Sequence, residues 1–405
     1  MRAATKRPES GDRAGACAAE RAAMSRAIEL AALGLGTTSP NPVVGCVILD
    51  RTGAVVGEGY HAAAGGPHAE VVALAGAGVR ATGGTAVVTL EPCHHTGRTG
   101  PCTAALLAAG IVRVVSAVAD PNPAATGGAA ALRAAGVDVV GDVHTAEAAR
   151  GNEAWLLAVR EGRPFVTWKY AASLDGQVAA ADGSSQWITS AAARADVHRL
   201  RARSDAVIAG VGTVLADDPA LTARPDGTTL DRQPLRVVVD SCARTPLTAG
   251  VLGGSARTLV AVTADAPAQR VDALRRTTAE VTVLPRADDG VDLAALLAQL
   301  YTRGLRGVLL EGGPRLTGSF LRLGAVDRVI GYVAPVLLGS GRWPALRAAL
   351  GDSIDQAPRL RLDEVARIGP DVRLTARPAT DNPATDNPAT DNPATDNPAT
   401  DNEES

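Results

Sequence analysis

The chain has 405 residues, an apolar fraction of 46% and a net charge of −3. That length suits two domains with a core each. The acidic balance lacks the basic footprint of a nucleic-acid binder, and ten aromatic residues (four Trp, four Tyr, two Phe) leave little for base-stacking platforms. No run of eighteen apolar residues occurs, and Glu9, Asp12 and Glu20 interrupt an alanine-rich N-terminus without a signal-peptide core, so a cytoplasmic protein is expected, with neither membrane nor nucleic acid as partner.

Taken in chain order, residues 1–19 lack a period and are expected to form a mobile extension. A helix follows, with Met24, Ala27, Ile28, Ala31 and Leu35 at helical spacing and Gly34 and Gly36 marking its end. Residues 43–49 and 54–60 read as strands joined by the hairpin signal Asp50-Arg51-Thr52-Gly53. His68-Ala69-Glu70 opens a helix; a strand at 85–90, a helix at 102–109, a strand at 112–118, a helix around 129–135 and a short strand at 137–140 complete a layered α/β domain over 20–144.

A connecting helix is expected within the linker 145–163, which closes on Gly162-Arg163 before Pro164. The second domain, 164–377, alternates strands at 165–171, 206–209, 235–240, 258–263, 281–284, 307–310 and 329–333 with helices at 191–203, 293–303 and from Pro314 to Leu323. This is again α/β. From Pro378 the unit Pro-Ala-Thr-Asp-Asn repeats five times, and without large apolar side chains the tail 378–405 is expected to be disordered.

The chemistry concentrates between His68 and Cys102. One imidazole and two thiolates, from His68, Cys93 and Cys102, suit a tetrahedral Zn²⁺ with one corner left for water, and Glu70 stands two residues from a ligand to shuttle protons. Any one of these residues alone reads better as packing; together they point to metal. Zinc deaminases carry His-x-Glu followed by Pro-Cys-x-x-Cys. Here eight residues separate Cys93 from Cys102, which predicts a loop able to carry substrate contacts. The remaining thiols, Cys17, Cys46 and Cys242, read as packing or incidental, and an odd count of five fits a reducing compartment.

In the second domain Leu310-Glu311-Gly312-Gly313-Pro314 reads as a strand, a glycine-rich turn and a helix start, whose backbone N–H groups suit a phosphate. Lys169 is notable in a chain whose only other lysine is Lys6.

The runs Gly36-Thr37-Thr38-Ser39-Pro40-Asn41-Pro42-Val43-Val44-Gly45, Gly66-Pro67-His68-Ala69-Glu70 and Glu91-Pro92-Cys93-His94-His95-Thr96-Gly97-Arg98-Thr99-Gly100-Pro101-Cys102 resemble the deaminase half of the bifunctional RibD family of riboflavin biosynthesis. The family usually has proline where Gly100 stands. Lys169-Tyr170-Ala171-Ala172-Ser173-Leu174-Asp175-Gly176, Ser184-Ser185-Gln186-Trp187 and Gly212-Thr213-Val214-Leu215-Ala216-Asp217-Asp218-Pro219 resemble its reductase half.

The resemblance implies a cytidine-deaminase-like α/β/α domain followed by a dihydrofolate-reductase-like α/β domain. It implies one Zn²⁺ and NADPH as cofactors, small phosphoribosylaminopyrimidines as substrates, and a homo-oligomer is expected. The activity implied is deamination of 2,5-diamino-6-(5-phosphoribosylamino)pyrimidin-4(3H)-one, then NADPH-dependent reduction of the ribosyl chain to ribityl. By the same resemblance Asn41 and His61, with His95 and Arg98, face the first substrate; Lys169, Asp175, Ser185, Arg201, Leu221, Arg224 and Glu311 face the second. Ala171, Trp187, Thr213, Asp217, Ser241, Gly313, Pro314, Arg315, Leu316, Thr317, Gly318 and Ser319 match cofactor-contacting positions. Two alternatives stay open on sequence grounds: a tRNA-type deaminase, which salt-dependent RNA binding would favour, and a binding protein with structural zinc, which a closed set of four ligands would favour.

Overall fold

The computed structural model describes residues 15–95, 100–123, 125–339 and 341–379. Its first part is built from α1 (Ala18–Ala32), β1 (Gly45–Leu49), β2 (Val55–Tyr60), α2 (Ala69–Ala77), β3 (Thr85–Leu90), α3 (Cys102–Ala108), β4 (Arg113–Val118), α4 (Gly128–Ala134) and β5 (Asp138–Val140). The sheet order is β2-β1-β3-β4-β5. β1 runs antiparallel to both neighbours, and β3, β4 and β5 are parallel.

Alternate strand residues serve opposite faces, as a two-residue period requires. Val47, Leu49, Val87 and Val115 pack with Met24 and Leu30 of α1, whereas Cys46, Ile48, Ala86, Val88 and Val114 pack against Ala69 and Ala73 of α2 and Leu106 of α3. Helix α2 lies unusually close to β2. A Cβ on Gly57 would stand 2.1 Å from the Ala73 carbonyl oxygen and one on Gly59 2.5 Å from that of Ala69, so glycine alone lets the helix reach this depth.

Helix α1 begins at Ala18, inside the segment expected to be a mobile extension. The Cys17 amide donates to Glu20, and Glu20, buried, pairs with Arg113, which ties this helix start to the sheet. The linker also departs from expectation. It forms two helices, α5 (Thr145–Gly151) and α6 (Glu153–Glu161), broken at Asn152, whose side chain turns inward to bond both backbone groups of Val43. That tertiary bonding outweighs continuation of the helix.

The second part comprises β6 (Phe165–Ser173), α7 (Ala191–Ala202), β7 (Ala206–Gly210), α8 (Val211–Asp217), β8 (Leu235–Val239), β9 (Thr258–Thr263), α9 (Ala268–Arg275), β10 (Glu280–Leu284), β11 (Arg286–Ala287), β12 (Gly290–Val291), α10 (Leu293–Thr302), β13 (Gly307–Leu310), α11 (Pro314–Arg322), β14 (Arg328–Ala334), β15 (Leu360–Ile368) and β16 (Asp371–Pro378). The large sheet has the order β10-β9-β8-β7-β13-β6-β14-β16-β15. From β10 to β14 neighbours are parallel; β16 and β15 close the edge antiparallel. Ala206 and Ile208 face one core with Leu296, Leu300 and Phe320; Val207 and Ala209 face the other with Val214, Val251 and Leu274.

Helices α8 and α9, the small β11–β12 ribbon and the β15–β16 hairpin were not expected from the sequence. Pro378, the first residue of the repeat, is the last of β16; the rest of the expected disordered tail, from 380, lies outside the described residues, as do residues 1–14.

Candidate active sites

The first site forms where β3 and β4 end. His68 is the N-cap residue of α2, Glu70 lies in that helix's first turn, and Cys102 is the first residue of α3. Cys93 follows β3, and the preceding backbone is held firmly. The Glu91 carboxylate accepts from the amides of Ala129 (2.8 Å) and Asp120 (3.3 Å), and Gly128 packs so closely that a Cβ would stand 1.8 Å from the Pro92 carbonyl oxygen.

His68 Nδ1 lies 3.6 Å from Cys93 Sγ and 3.1 Å from Cys102 Sγ, and the three ligand atoms all fall within 4.8 Å of one another. Zinc bonds of about 2.0 Å to nitrogen and about 2.3 Å to sulfur call for donor separations of roughly 3.5 to 3.8 Å. The Cys93 spacing falls in that range and the Cys102 spacing is a few tenths of an ångström short of it, so a small side-chain adjustment brings the set to a tetrahedral zinc. Three donors form the cluster among the described residues, which leaves one corner of the tetrahedron for a non-protein ligand.

The electrostatics agree. Hydrogen bonding to Cys102 draws the Cys93 thiol down to about 4, with the Cys102 amide and His68 adding to the effect, while the same thiol pairing and burial push Cys102 up. A pair sharing one proton gives it up to a dication and ligates as two thiolates. Burial raises the Glu70 carboxyl above its ordinary range. Glu70 is 4% exposed, so no bulk water competes for its proton.

Asn41 and His61 stand beside these ligands. The His61 and His68 rings meet edge to face, 5.5 Å apart, and burial holds His61 below its usual range, hence neutral. The Pro67 carbonyl, 2.9 Å from Nδ1, can only accept, which puts the ring proton on Nδ1. Nε2 then accepts from the Asn41 amide at 3.1 Å, leaving Asn41 its oxygen to offer a ring edge. His95 is exposed, and Arg98 lies outside the described residues. His94 was missed by sequence reading: its Nδ1 lies 3.0 Å from Thr103 Oγ1 and fastens the ligand loop to α3.

The second site lies at the carboxyl ends of the parallel strands, where open α/β sheets bind ligands. Glu311, just past β13, receives Arg201 through both Nε (2.5 Å) and Nη2 (2.9 Å), and Lys169 Nζ of β6 at 3.4 Å. Burial opposes ionisation of Glu311, but the two cations prevail and hold it down at about 2. Arg201, expected to face the second substrate, therefore commits its fork to Glu311, and its remaining Nη1 donates to the Thr222 carbonyl. Arg224 instead lines a cavity of about 300 Å³ with Arg194, His198 and Asp226; Arg194 and His198 were not anticipated from sequence. Leu221 is buried with φ +51, and Ser185 Oγ donates to Asp217 at 2.8 Å. The carboxylate of Asp175 accepts from Ser173 Oγ and from the amides of Leu338 and Gly339, so it braces the loop after β14.

Gly313 caps α11 without a side chain and Pro314 begins it, so the helix presents its N-terminus to a ligand. A Cβ on Gly313 would stand 3.4 Å from Thr213 Oγ1, placing the α8 residue beside this turn. Thr317 Oγ1 donates back to the Gly312 carbonyl, Ser319 Oγ donates to Asp289, and Ser241 Oγ accepts from the Val291 amide. Gly318 faces Ala348, which makes it a packing residue, and Leu316 packs against the large core. Arg315 is exposed on α11 and Ala171 lies in β6. Trp187 is 68% exposed with the Arg194 guanidinium 4.4 Å from its ring centroid, an open aromatic face suited to a planar ring. Small side chains, a helix N-terminus and an exposed aromatic fit a dinucleotide.

Residues 18–118 match the cytidine and deoxycytidylate deaminase zinc-binding region, and residues 164–374 match the RibD C-terminal domain. The chain is 48% identical over 355 residues to riboflavin biosynthesis protein RibD of Mycobacterium tuberculosis (strain ATCC 25618 / H37Rv), covering 87% of this chain and 96% of that one. It is 43% identical over 364 residues to RibD of Escherichia coli (strain K12), covering 87% and 97%. Among solved structures, Acinetobacter baumannii RibD superposes with a TM-score of 0.80 at 40% identity, covering 89% of this chain and 99% of that chain. The diaminohydroxyphosphoribosylaminopyrimidine deaminase/5-amino-6-(5-phosphoribosylamino)uracil reductase of Thermotoga maritima superposes with a TM-score of 0.79 at 33% identity, covering 89% and 99%.

Proposed function

The chain belongs to the RibD family, and from that premise we propose which of its residues carry each of the family's two reactions. It is a bifunctional enzyme of riboflavin biosynthesis, a zinc-dependent deaminase followed by an NADPH-dependent reductase. The proposed domains are 20–144 and 164–377, joined by the linker 145–163.

In the first reaction His68, Cys93 and Cys102 hold the zinc, which when bound supplies the Lewis acidity that makes water a nucleophile near neutral pH. Asn41 and His61, with His95 and Arg98, bind and orient the pyrimidine. Glu70 takes one proton from the attacking water and delivers it to the ring nitrogen, then takes the second from the added hydroxyl and delivers it to the amino group, which leaves as ammonia; a carboxyl raised by burial is suited to both exchanges. In the second, NADPH when bound would supply the hydride that reduces the ribosyl chain to ribityl. The chain's own part is positional. The 313–319 turn and helix, Thr213, Asp217, Ser241, Ala171 and Trp187 hold the dinucleotide, while Ser185, Leu221 and Arg224 hold the phosphoribosyl group. Asp175 shapes the edge of that site, and the Lys169–Glu311–Arg201 cluster fixes charge at the strand ends.

The observation that carries this reading is the convergence of one imidazole and two thiols with a buried carboxyl beside them. Incubating the protein with 2,5-diamino-6-(5-phosphoribosylamino)pyrimidin-4(3H)-one, with and without NADPH, tests it. Ammonia release in both cases and NADPH oxidation that follows deamination support it; NADPH oxidation without ammonia release contradicts it.

No helix among the described residues is long and apolar enough to cross a membrane. A cytoplasmic enzyme working on small phosphoribosyl compounds, without nucleic acid, is the reading proposed. So is a homo-oligomer, supported by the edge strand β15, which leaves Leu360, Leu362 and Val365 exposed.

A further inference from the structure

We propose that the reductase half and the linker form part of the deaminase's substrate-binding apparatus: Asp205 and Asn152 hold opposite ends of the loop that carries Asn41, and thereby position its amide. The inference rests on the reading of Asn41 as a substrate contact.

The loop turns tightly, with the Asn41 backbone N–H donating to the Thr38 carbonyl at 2.8 Å. On its upstream side Ser39 Oγ donates to Asp205 Oδ2 at 2.8 Å, across the boundary to the start of β7. Asp205 is 6% exposed and is itself fixed by the amides of Arg306 (2.8 Å) and Gly307 (3.0 Å) and by Arg232 Nη2 (3.0 Å). The carboxylate is thus an immobile anchor on the reductase sheet, where a hydroxyl from the other half completes its set of donors. The same face is backed by close packing. A Cβ on Gly36 would stand 2.5 Å from the Ala202 carbonyl oxygen at the end of α7, and one on Gly304 3.5 Å from Pro40.

On the downstream side Asn152 grips Val43 at two points, Oδ1 accepting from its amide at 2.8 Å and Nδ2 donating to its carbonyl at 2.6 Å. Asn152 is 4% exposed, and Glu153 beside it pairs with Arg328 of β14 and Arg377 of β16. Both ends of the loop are therefore referred to the second half of the molecule. Between them lies the amide that reaches His61 Nε2 at 3.1 Å, beside the zinc ligands. A shift of under an ångström at Ser39 is passed to Asn41 two residues later, because the prolines on either side, Pro40 and Pro42, stiffen the path. The Ser39 hydroxyl is a positioning group: it touches Asp205 and acts through Asn41.

The test uses the full-length, zinc-loaded enzyme with ammonia release and NADPH oxidation followed separately, so that the reductase serves as an internal control. Ser39→Ala leaves Asp205 with its other donors. It is expected to raise the deaminase KM for the diaminopyrimidine roughly five- to tenfold, a fraction of the worth of one hydrogen bond to a charged group because Asn152 still holds the other end of the loop, with deaminase kcat and both reductase constants within twofold. Ser39→Thr, which keeps the hydroxyl, restores the KM. Asn41→Ala, run in parallel, raises KM further. If Asn41→Ala raises KM while Ser39→Ala leaves it within twofold of the parent, the anchoring is overturned and the role of Asn41 stands. If Asn41→Ala has no effect, the reading beneath the proposal fails and the proposal with it. Equal impairment by Ser39→Ala and Ser39→Thr also overturns it, since the hydroxyl would not be the agent.

Discussion

Glu70 is buried at the start of α2 and is placed to exchange protons with a substrate rather than with bulk solvent. Replacing it by Gln preserves shape but removes the exchangeable proton. Glu70→Gln is expected to retain zinc by metal analysis and to slow ammonia release by about 10² to 10⁴, with reductase activity intact; ammonia release near the parental rate would remove Glu70 from the mechanism. Glu311 is the corresponding residue of the second site. Its folded carboxyl, at about 2, lies below the ordinary 4.5, so its contribution to stability is present above pH 4.5 and is lost as pH falls toward 2. Glu311→Gln strands the charges of Lys169 and Arg201 and is expected to cost roughly 3 to 5 kcal/mol. Urea unfolding at stepped pH checks this: the gap between parent and variant should narrow between pH 4.5 and 3, and a constant gap would assign the cost to packing. The convergence of His68, Cys93 and Cys102 was legible in the sequence because spacing and residue type together exclude most other uses. Glu91 and His94 were not, because their work is done on the backbone of Asp120 and Ala129 and on the Thr103 hydroxyl, partners that the fold alone brings near.

At the scale of elements, the depth at which α2 is set against β2 decides where His68 and Glu70 point. Gly59→Ala drives a Cβ into the backbone of Ala69 and is expected to destabilise the first domain by about 1 to 3 kcal/mol and to weaken zinc retention at least tenfold, since the ligand-bearing turn must move. Thermal unfolding with zinc analysis before and after dialysis reads both; unchanged zinc retention would mean the helix depth does not set the ligand geometry. Strands such as β3, β9 and β13 were readable to within a residue because, buried on both faces, they form short continuous apolar runs. The β15–β16 hairpin was not, since Leu360, Leu362 and Val365 alternate with charges on a strand exposed along its length. Helix α8 also escaped notice: Gly212 and Thr213 weaken its propensity, and its place is set by packing of Val211 and Val214 into the core. The break at Asn152 belongs to the same class, a local pattern overridden by a distant backbone partner.

For the molecule as a whole, length and the alternation of strands with helices pointed to two α/β parts, and the specific motifs named their chemistry; how the parts touch was beyond reach, because Ser39 and Asp205 are 166 positions apart. The long edge at β15, with Val365 62% and Leu362 58% exposed and Ile354 73% exposed nearby, is where self-association is expected. A Leu362→Lys, Val365→Lys double variant should sediment as a monomer at concentrations where the parent associates; an unchanged distribution would move the interface elsewhere. The account rests above all on zinc at the first site serving deamination alone. Its most direct measurement is the metal content of the purified protein together with both activities after chelation. One zinc per chain is predicted, with ammonia release abolished on its removal and restored by its return, while NADPH oxidation with 5-amino-6-(5-phosphoribosylamino)uracil continues throughout. Ammonia release that survives in metal-free protein would contradict the account.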